Sequence, residues 1–195
     1  MQRRDARQVM GLRELKKAKT RKMISDLATR LFIENGYNEV TTAEIARLAE
    51  VSVPTLFKYF PTKEMLVFDE EDEREERLIA AVTDRKKDAS ILDALLEHFA
   101  SFMAFDVDKK KEVDAFRKLI YSTPDLYVYA KQIWMRYEKS LAVVLQQETK
   151  NKLEKAEAEA IAHFILDAFH RSKDAENPRA TLHTLFNMMK NGWKE

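Results

Sequence analysis

The sequence predicts an all-α fold of about nine helices, and three observations lead there. Only 3 Gly and 4 Pro occur in 195 residues, among many Ala, Leu, Glu and Lys, a composition that favours helix. Apolar residues recur at helical spacing along most of the chain, and no stretch alternates with the two-residue period of a strand. Hydrophobic residues make up 45% of the chain, so a packed core is expected, in one large domain or two small ones.

The first helix carries Ile24, Leu27, Ala28, Leu31 and Phe32 on one face and ends at Asn35-Gly36, a C-terminal cap signal. Thr41 can cap a second helix, with Glu44 at capping-box spacing and Ile45, Leu48 and Ala49 as its apolar stripe. Glu50-Val51 makes a tight turn. Ser52 can cap a third helix, and Pro54 falls in its first turn, where a missing N–H costs nothing. Leu56 and Phe60, four apart, share its inward face. Pro61 ends it, Thr62 can cap the next, and a fourth helix is expected from Lys63 into the 80s through Met65, Leu66, Leu78, Ile79 and Val82. Its stretch Asp69 to Glu76, seven acids to one Arg, reads as a solvated segment joining two domains.

Beyond a break at Asp88-Ala89-Ser90, Ile91, Leu92, Leu95, Phe99, Phe102 and Met103 mark a fifth helix. A polar loop at Asp106 to Lys111 precedes a sixth, with Val113, Phe116, Leu119 and Ile120, which stops before Thr123-Pro124. A long seventh follows, through Leu126, Ile133, Trp134, Tyr137, Leu141 and Leu145. The last two are placed at residues 154–172 and 178–193, the ninth opened by Asn177-Pro178. The expected domains are residues 1–62 and 63–195.

Two short helices joined by a tight turn form the unit that lays its second helix in the DNA major groove. Val53, Pro54 and Thr55 are small enough to approach base edges, and Lys58 and Tyr59 are placed to reach phosphates. The same spacing also fits a plain helical hairpin inside a bundle.

Residues 16–68 resemble the N-terminal DNA-binding domain of the TetR/AcrR family of one-component regulators. The resemblance rests on Gly36-Tyr37, Thr41-Thr42, Ile45-Ala46, Ala49, Val51-Ser52, Thr55-Leu56-Phe57-Lys58-Tyr59-Phe60 and Pro61-Thr62-Lys63-Glu64. It implies DNA contacts from Arg21, Thr41, Thr42, Ser52, Val53, Pro54, Thr55, Lys58, Tyr59 and Lys63. Lys58, Tyr59, Lys63 and the Thr42 hydroxyl would hold phosphates, and residues 53–55 would touch bases. Three departures bear on the operator sequence. Glu50 stands where the family usually has Gly, Phe57 where Tyr is common, and Pro54 where a small residue is frequent. If the turn needs a positive φ, Glu50 costs about 1 kcal/mol there.

Charge supports the same division. Residues 1–63 hold 13 Lys and Arg against 7 Asp and Glu, and the remainder holds 21 against 26. A basic N-terminal third suits a protein with one end on DNA. Arg3, Arg4, Arg7 and Arg13 are equally a solvated tail or an arm on the duplex, whereas Lys19 and Arg21 lie nearer the motif. With no Cys, thiol chemistry and cysteine-type zinc sites are excluded. No metal, nucleophile-elbow, phosphate-loop or dinucleotide motif is present, so neither an enzyme nor a cofactor is expected. No apolar run approaches a membrane span, and the basic start lacks a signal-peptide core, so the expected location is cytoplasmic.

The resemblance further implies a homodimer through residues 154–172 and 178–193 on a near-palindromic operator, with no membrane partner. It also implies a small, largely apolar effector in a pocket bounded by Phe102, Phe116, Tyr137 and Phe164, whose binding would release a repressor from DNA. Any single one of these aromatics fits plain core packing better, and the set is read as a pocket because of the resemblance. Two other readings stay open: a DNA-binding dimer without an effector, controlled by abundance or by a protein partner, and an enzyme or carrier on the same scaffold.

Overall fold

The computed structural model describes residues 11–102, 107–150 and 152–192. Among them are nine α-helices and no strand. Arg3, Arg4, Arg7, Met103, Phe105, Asp106 and Trp193 lie outside the described residues. Asp69 closes one compact unit and Glu70 opens a second.

The first unit holds α1 (Leu12–Asn35), α2 (Thr42–Leu48) and α3 (Val53–Tyr59), then a 3₁₀ turn at Glu64–Leu66. Local chemistry sets its boundaries. Gly36 ends α1 at φ 93°, a left-handed value glycine adopts without a Cβ penalty, and its N–H donates to the Phe32 carbonyl at 3.0 Å. The Thr41 hydroxyl accepts from the Glu44 N–H at 3.1 Å, and the Ser52 hydroxyl from the Thr55 N–H at 3.2 Å. Each cap contributes about 1 kcal/mol. Ile24, Ala28 and Phe32 of α1, Ile45 and Ala46 of α2, and Leu56 and Phe60 at α3 form the buried core. The Ser25 hydroxyl donates to the Leu66 carbonyl at 2.8 Å and fastens the 3₁₀ turn to α1.

The expected fourth helix from Lys63 is not continuous. The 3₁₀ turn stops at Leu66, and α4 (Glu71–Thr83) opens only at Glu71. Glu71, Asp72 and Glu73 fill its first turn, where the helix dipole favours acids. The acidic stretch is also not wholly solvated. Glu71 is only 7% exposed, and its Oε1 accepts from the Tyr129 hydroxyl at 2.9 Å.

The second unit continues with α5 (Ile91–Ala100), α6 (Lys110–Ser122), α7 (Pro124–Glu148), α8 (Lys155–Lys173) and α9 (Pro178–Asn191). Ser90 and Asn177 cap α5 and α9, and Pro124 opens α7. Helix α7 packs on α4, α6 and α8, while α9 packs on α5 and α8. Leu78, Leu95, Leu141, Leu145, Ile165, Leu166 and Leu182 are buried between them.

Candidate nucleic-acid interface

Burying Leu56 and Phe60 turns the opposite face of α3 outward. Val53, Pro54, Phe57 and Lys58 are exposed there, with Thr55 and Tyr59 half-buried at the flanks. Ser52 and Thr55 are coupled, their hydroxyl oxygens 2.7 Å apart at the start of the helix. Of the α2 residues, Thr41 is exposed and Thr42 half-buried. Phe57, 42% exposed, belongs to this surface although the sequence reading treated it only as a missing hydroxyl. Its offset from buried Leu56 and Phe60 was the available signal.

Two cations expected on the interface are engaged inside the unit. Arg21 Nη1 donates to the Tyr59 carbonyl and Nη2 to the Asp69 carbonyl at 3.1 Å, with the guanidinium 4.5 Å from the Phe60 ring centroid. The Lys63 ammonium donates to the Tyr37 carbonyl, 4.3 Å from the Tyr37 ring centroid and 5.3 Å from that of Phe32. Glu64 beside it accepts from the Tyr37 hydroxyl at 3.1 Å. Burial raises the Glu64 pKa, but its own backbone N–H, the Thr62 and Tyr37 hydroxyls and the Lys63 charge outweigh that and hold the carboxyl below its usual range. Lys58, by contrast, is exposed.

In the second unit the four aromatics expected to bound a pocket do not all converge. Phe102 joins a cluster with Phe99, Phe169 and His98, its centroid 5.3 Å from Phe169 and 5.1 Å from His98. Phe116 is half-buried on α6. The Tyr137 hydroxyl donates to the Glu71 backbone carbonyl at 2.6 Å, and burial pushes its pKa up to about 12. Phe164 is a correction: it stands 62% exposed on α8. Its neighbours Ala162, Ile165 and Leu166 take the inward positions, which rotates residue 164 out by the helical period. Trp134 and His170, outside the four aromatics expected to bound the pocket, pack against each other beside Phe169. Burial, aided by the Lys173 charge, pushes His170 down to about 3, so it is neutral at physiological pH.

The comparisons agree with this architecture. The family described as "Bacterial regulatory proteins, tetR family" matches residues 24–69. The transcriptional regulator MftR of Mycobacterium tuberculosis is 24% identical over 129 residues, 66% of this chain and 65% of MftR. The HTH-type transcriptional regulator QacR of Staphylococcus aureus is 48% identical over 46 residues, 24% of each chain. The matches thus span less than two thirds of the length of these curated relatives, both of which are named as transcriptional regulators. Among solved structures, Salmonella enterica GusR superposes with a TM-score of 0.59 at 21% identity, covering 88% of this chain and 94% of that one. Residues 24–69, which hold the capped pair α2–α3, thus match the tetR family of bacterial regulatory proteins, and the chain as a whole shares the helical fold of the GusR structure.

Proposed function

We propose that this regulator binds a near-palindromic operator as a homodimer and leaves it when a small effector occupies the second unit. The observation that carries the reading is the outward face of α3, where small and hydroxyl side chains at 53–55 precede Lys58 above a buried Leu56–Phe60 floor. A helix so presented fits a major groove about 12 Å wide. Two such heads read half-sites about 34 Å apart, which calls for two-fold symmetry. The exposed Phe164 of α8 and Met188 of α9, 62% and 45% exposed, support a seam on the last two helices. An effector acts only through a difference in its affinity for the DNA-bound and released states, so effector and operator weaken each other by one factor.

The test is a fluorescence anisotropy titration on duplexes selected from random sequence. Sequence-specific binding that weakens steeply with salt, with two protomers per site, is the expected result. Equal affinity for all duplexes would remove the operator reading. A second reading, an effector-independent dimer, is supported by the stacked Phe99 and Phe169 rings, 4.6 Å between centroids, which already fill one another's space.

A further inference from the structure

Three cations of the second unit, on three different helices, act on one another beside its aromatic cluster. Lys173 closes α8, Arg117 lies on α6 and Arg74 on α4, and the charges of both arginines bear on Lys173. Lys173 is half-buried, with its ammonium 5.0 Å from the Phe169 ring centroid. Among the described residues it has no hydrogen-bond acceptor and no carboxylate within 4.0 Å. Asp174, next to it in sequence, pairs with Arg117 instead at 3.4 Å, and Arg117 Nη2 also donates to the Lys173 carbonyl at 2.9 Å. Arg117 further meets Asp114 at 3.7 Å, and Arg74 meets Glu70 at 3.6 Å.

A lysine kept only for packing gains by taking the nearest carboxylate; here that carboxylate is given away and a second cation held close. Arg117 and Arg74 have carboxylates of their own, so it is Lys173, set against apolar surface, that lacks an anion, which is unfavourable until one joins it. Burial, opposed by Asp174 and reinforced by Arg117 and Arg74, pushes the Lys173 pKa down to about 8. The adjoining surface is apolar: Phe169 and Trp134 lie stacked with centroids 6.3 Å apart, and neutral His170 sits against Trp134. We infer that this corner of the second unit binds an organic acid, with its carboxylate or phosphate between Lys173 and Arg117 and its apolar body along Phe169 and Trp134.

The inference rests on the ligand-responsive reading above and names the effector's chemical class. It is tested by isothermal titration of the full chain with naphthalene-1-carboxylate, 1-naphthyl phosphate, naphthalene-1-methanol and inorganic phosphate. One or both organic acids should bind at least about tenfold tighter than the alcohol, since a charge-assisted pair is gained only with the acid. Which acid binds tighter separates a carboxylate from a phosphate source. Lys173→Met should bring the acid-to-alcohol ratio close to one, and Lys173→Arg should keep it. If Lys173→Met misfolds by circular dichroism, the wild-type resonance of ¹³C-methylated Lys173 decides: it should move with the acid and not with the alcohol. Equal binding of acid and alcohol, no binding of either acid, a ratio that survives Lys173→Met, or inorganic phosphate binding as tightly as the naphthyl ester would each overturn the inference. Duplex binding is measured on the same samples. Its loss would strike the regulator reading, whereas intact duplex binding with no preference for acids strikes only this site.

Discussion

Arg21 on α1 donates a hydrogen bond to the carbonyl of Tyr59, the last residue of α3, and lies over the ring of Phe60 just beyond it. The end of the proposed reading helix is therefore fixed by a cation 38 positions earlier in the chain. Arg21→Met keeps the apolar stem but leaves the Tyr59 and Asp69 carbonyls without this donor. It should lower the stability of the first unit by about 1–3 kcal/mol and weaken binding to all duplexes. A melting curve unchanged from wild type would remove the clamp.

Lys58 and Lys63 should separate phosphate binding from stability. Exposed Lys58, changed to Ala, should lower the salt slope of duplex binding by about one unit without moving the melting temperature. Lys63→Ala should lower the melting temperature, because the Tyr37 carbonyl and two aromatic faces lose their cation. Paired anisotropy and calorimetry distinguish the two, and the opposite pattern would exchange their roles.

Glu50 sits at φ 55° in the turn between α2 and α3. A side chain in left-handed backbone is unfavourable, and glycine removes that penalty while losing some chain entropy. Glu50→Gly should stabilise the first unit by about 0.5–1 kcal/mol, read as slower hydrogen exchange at Ile45 and Ala46. Faster exchange would mean that Glu50 is held there by something stronger than its backbone strain.

Thr55 tests base readout. Thr55→Ala should cost about 1–3 kcal/mol on the operator and little on random DNA if the hydroxyl meets a base edge. Losing its contact with Ser52 Oγ should leave the cap intact, since the cap runs through the Thr55 backbone N–H. Equal losses on both duplexes would make Thr55 a phosphate ligand.

His170 makes stability depend on pH. Its folded pKa, about 3, lies below the unfolded value of 6.5, so below pH 6.5 the unfolded chain binds a proton that the native chain refuses. The contribution of neutral His170 is complete above pH 6.5 and falls away as pH drops from 6.5 toward 3. His170→Gln should lose less melting temperature than wild type between pH 7 and about pH 5. Parallel losses would show that His170 reaches solvent.

Features decided by neighbours in sequence were legible without a structure. Thr41, Ser52 and Asn177 cap helices because the N–H each accepts lies three residues away, and Pro124 opens α7 because its ring fixes its own backbone. Buried Leu56 and Phe60 follow from helical period, and that alone turns 53, 54, 57 and 58 outward. The sequence also suggested that turn residue 50 is strained if its φ is positive, which it is. What each charge and ring faces was not legible. The fold pairs Lys63 with Tyr37, Glu71 with Tyr129 and Arg117 with the end of α8, across 26, 58 and 56 positions. A basic residue reads the same whether its partner is a phosphate or a backbone carbonyl, and an aromatic on an amphipathic helix reads the same whether it turns in, like Phe169, or out, like Phe164. Only the packing of distant helices removes water from one side of such a residue and supplies its partner, so those choices belong to the tertiary structure.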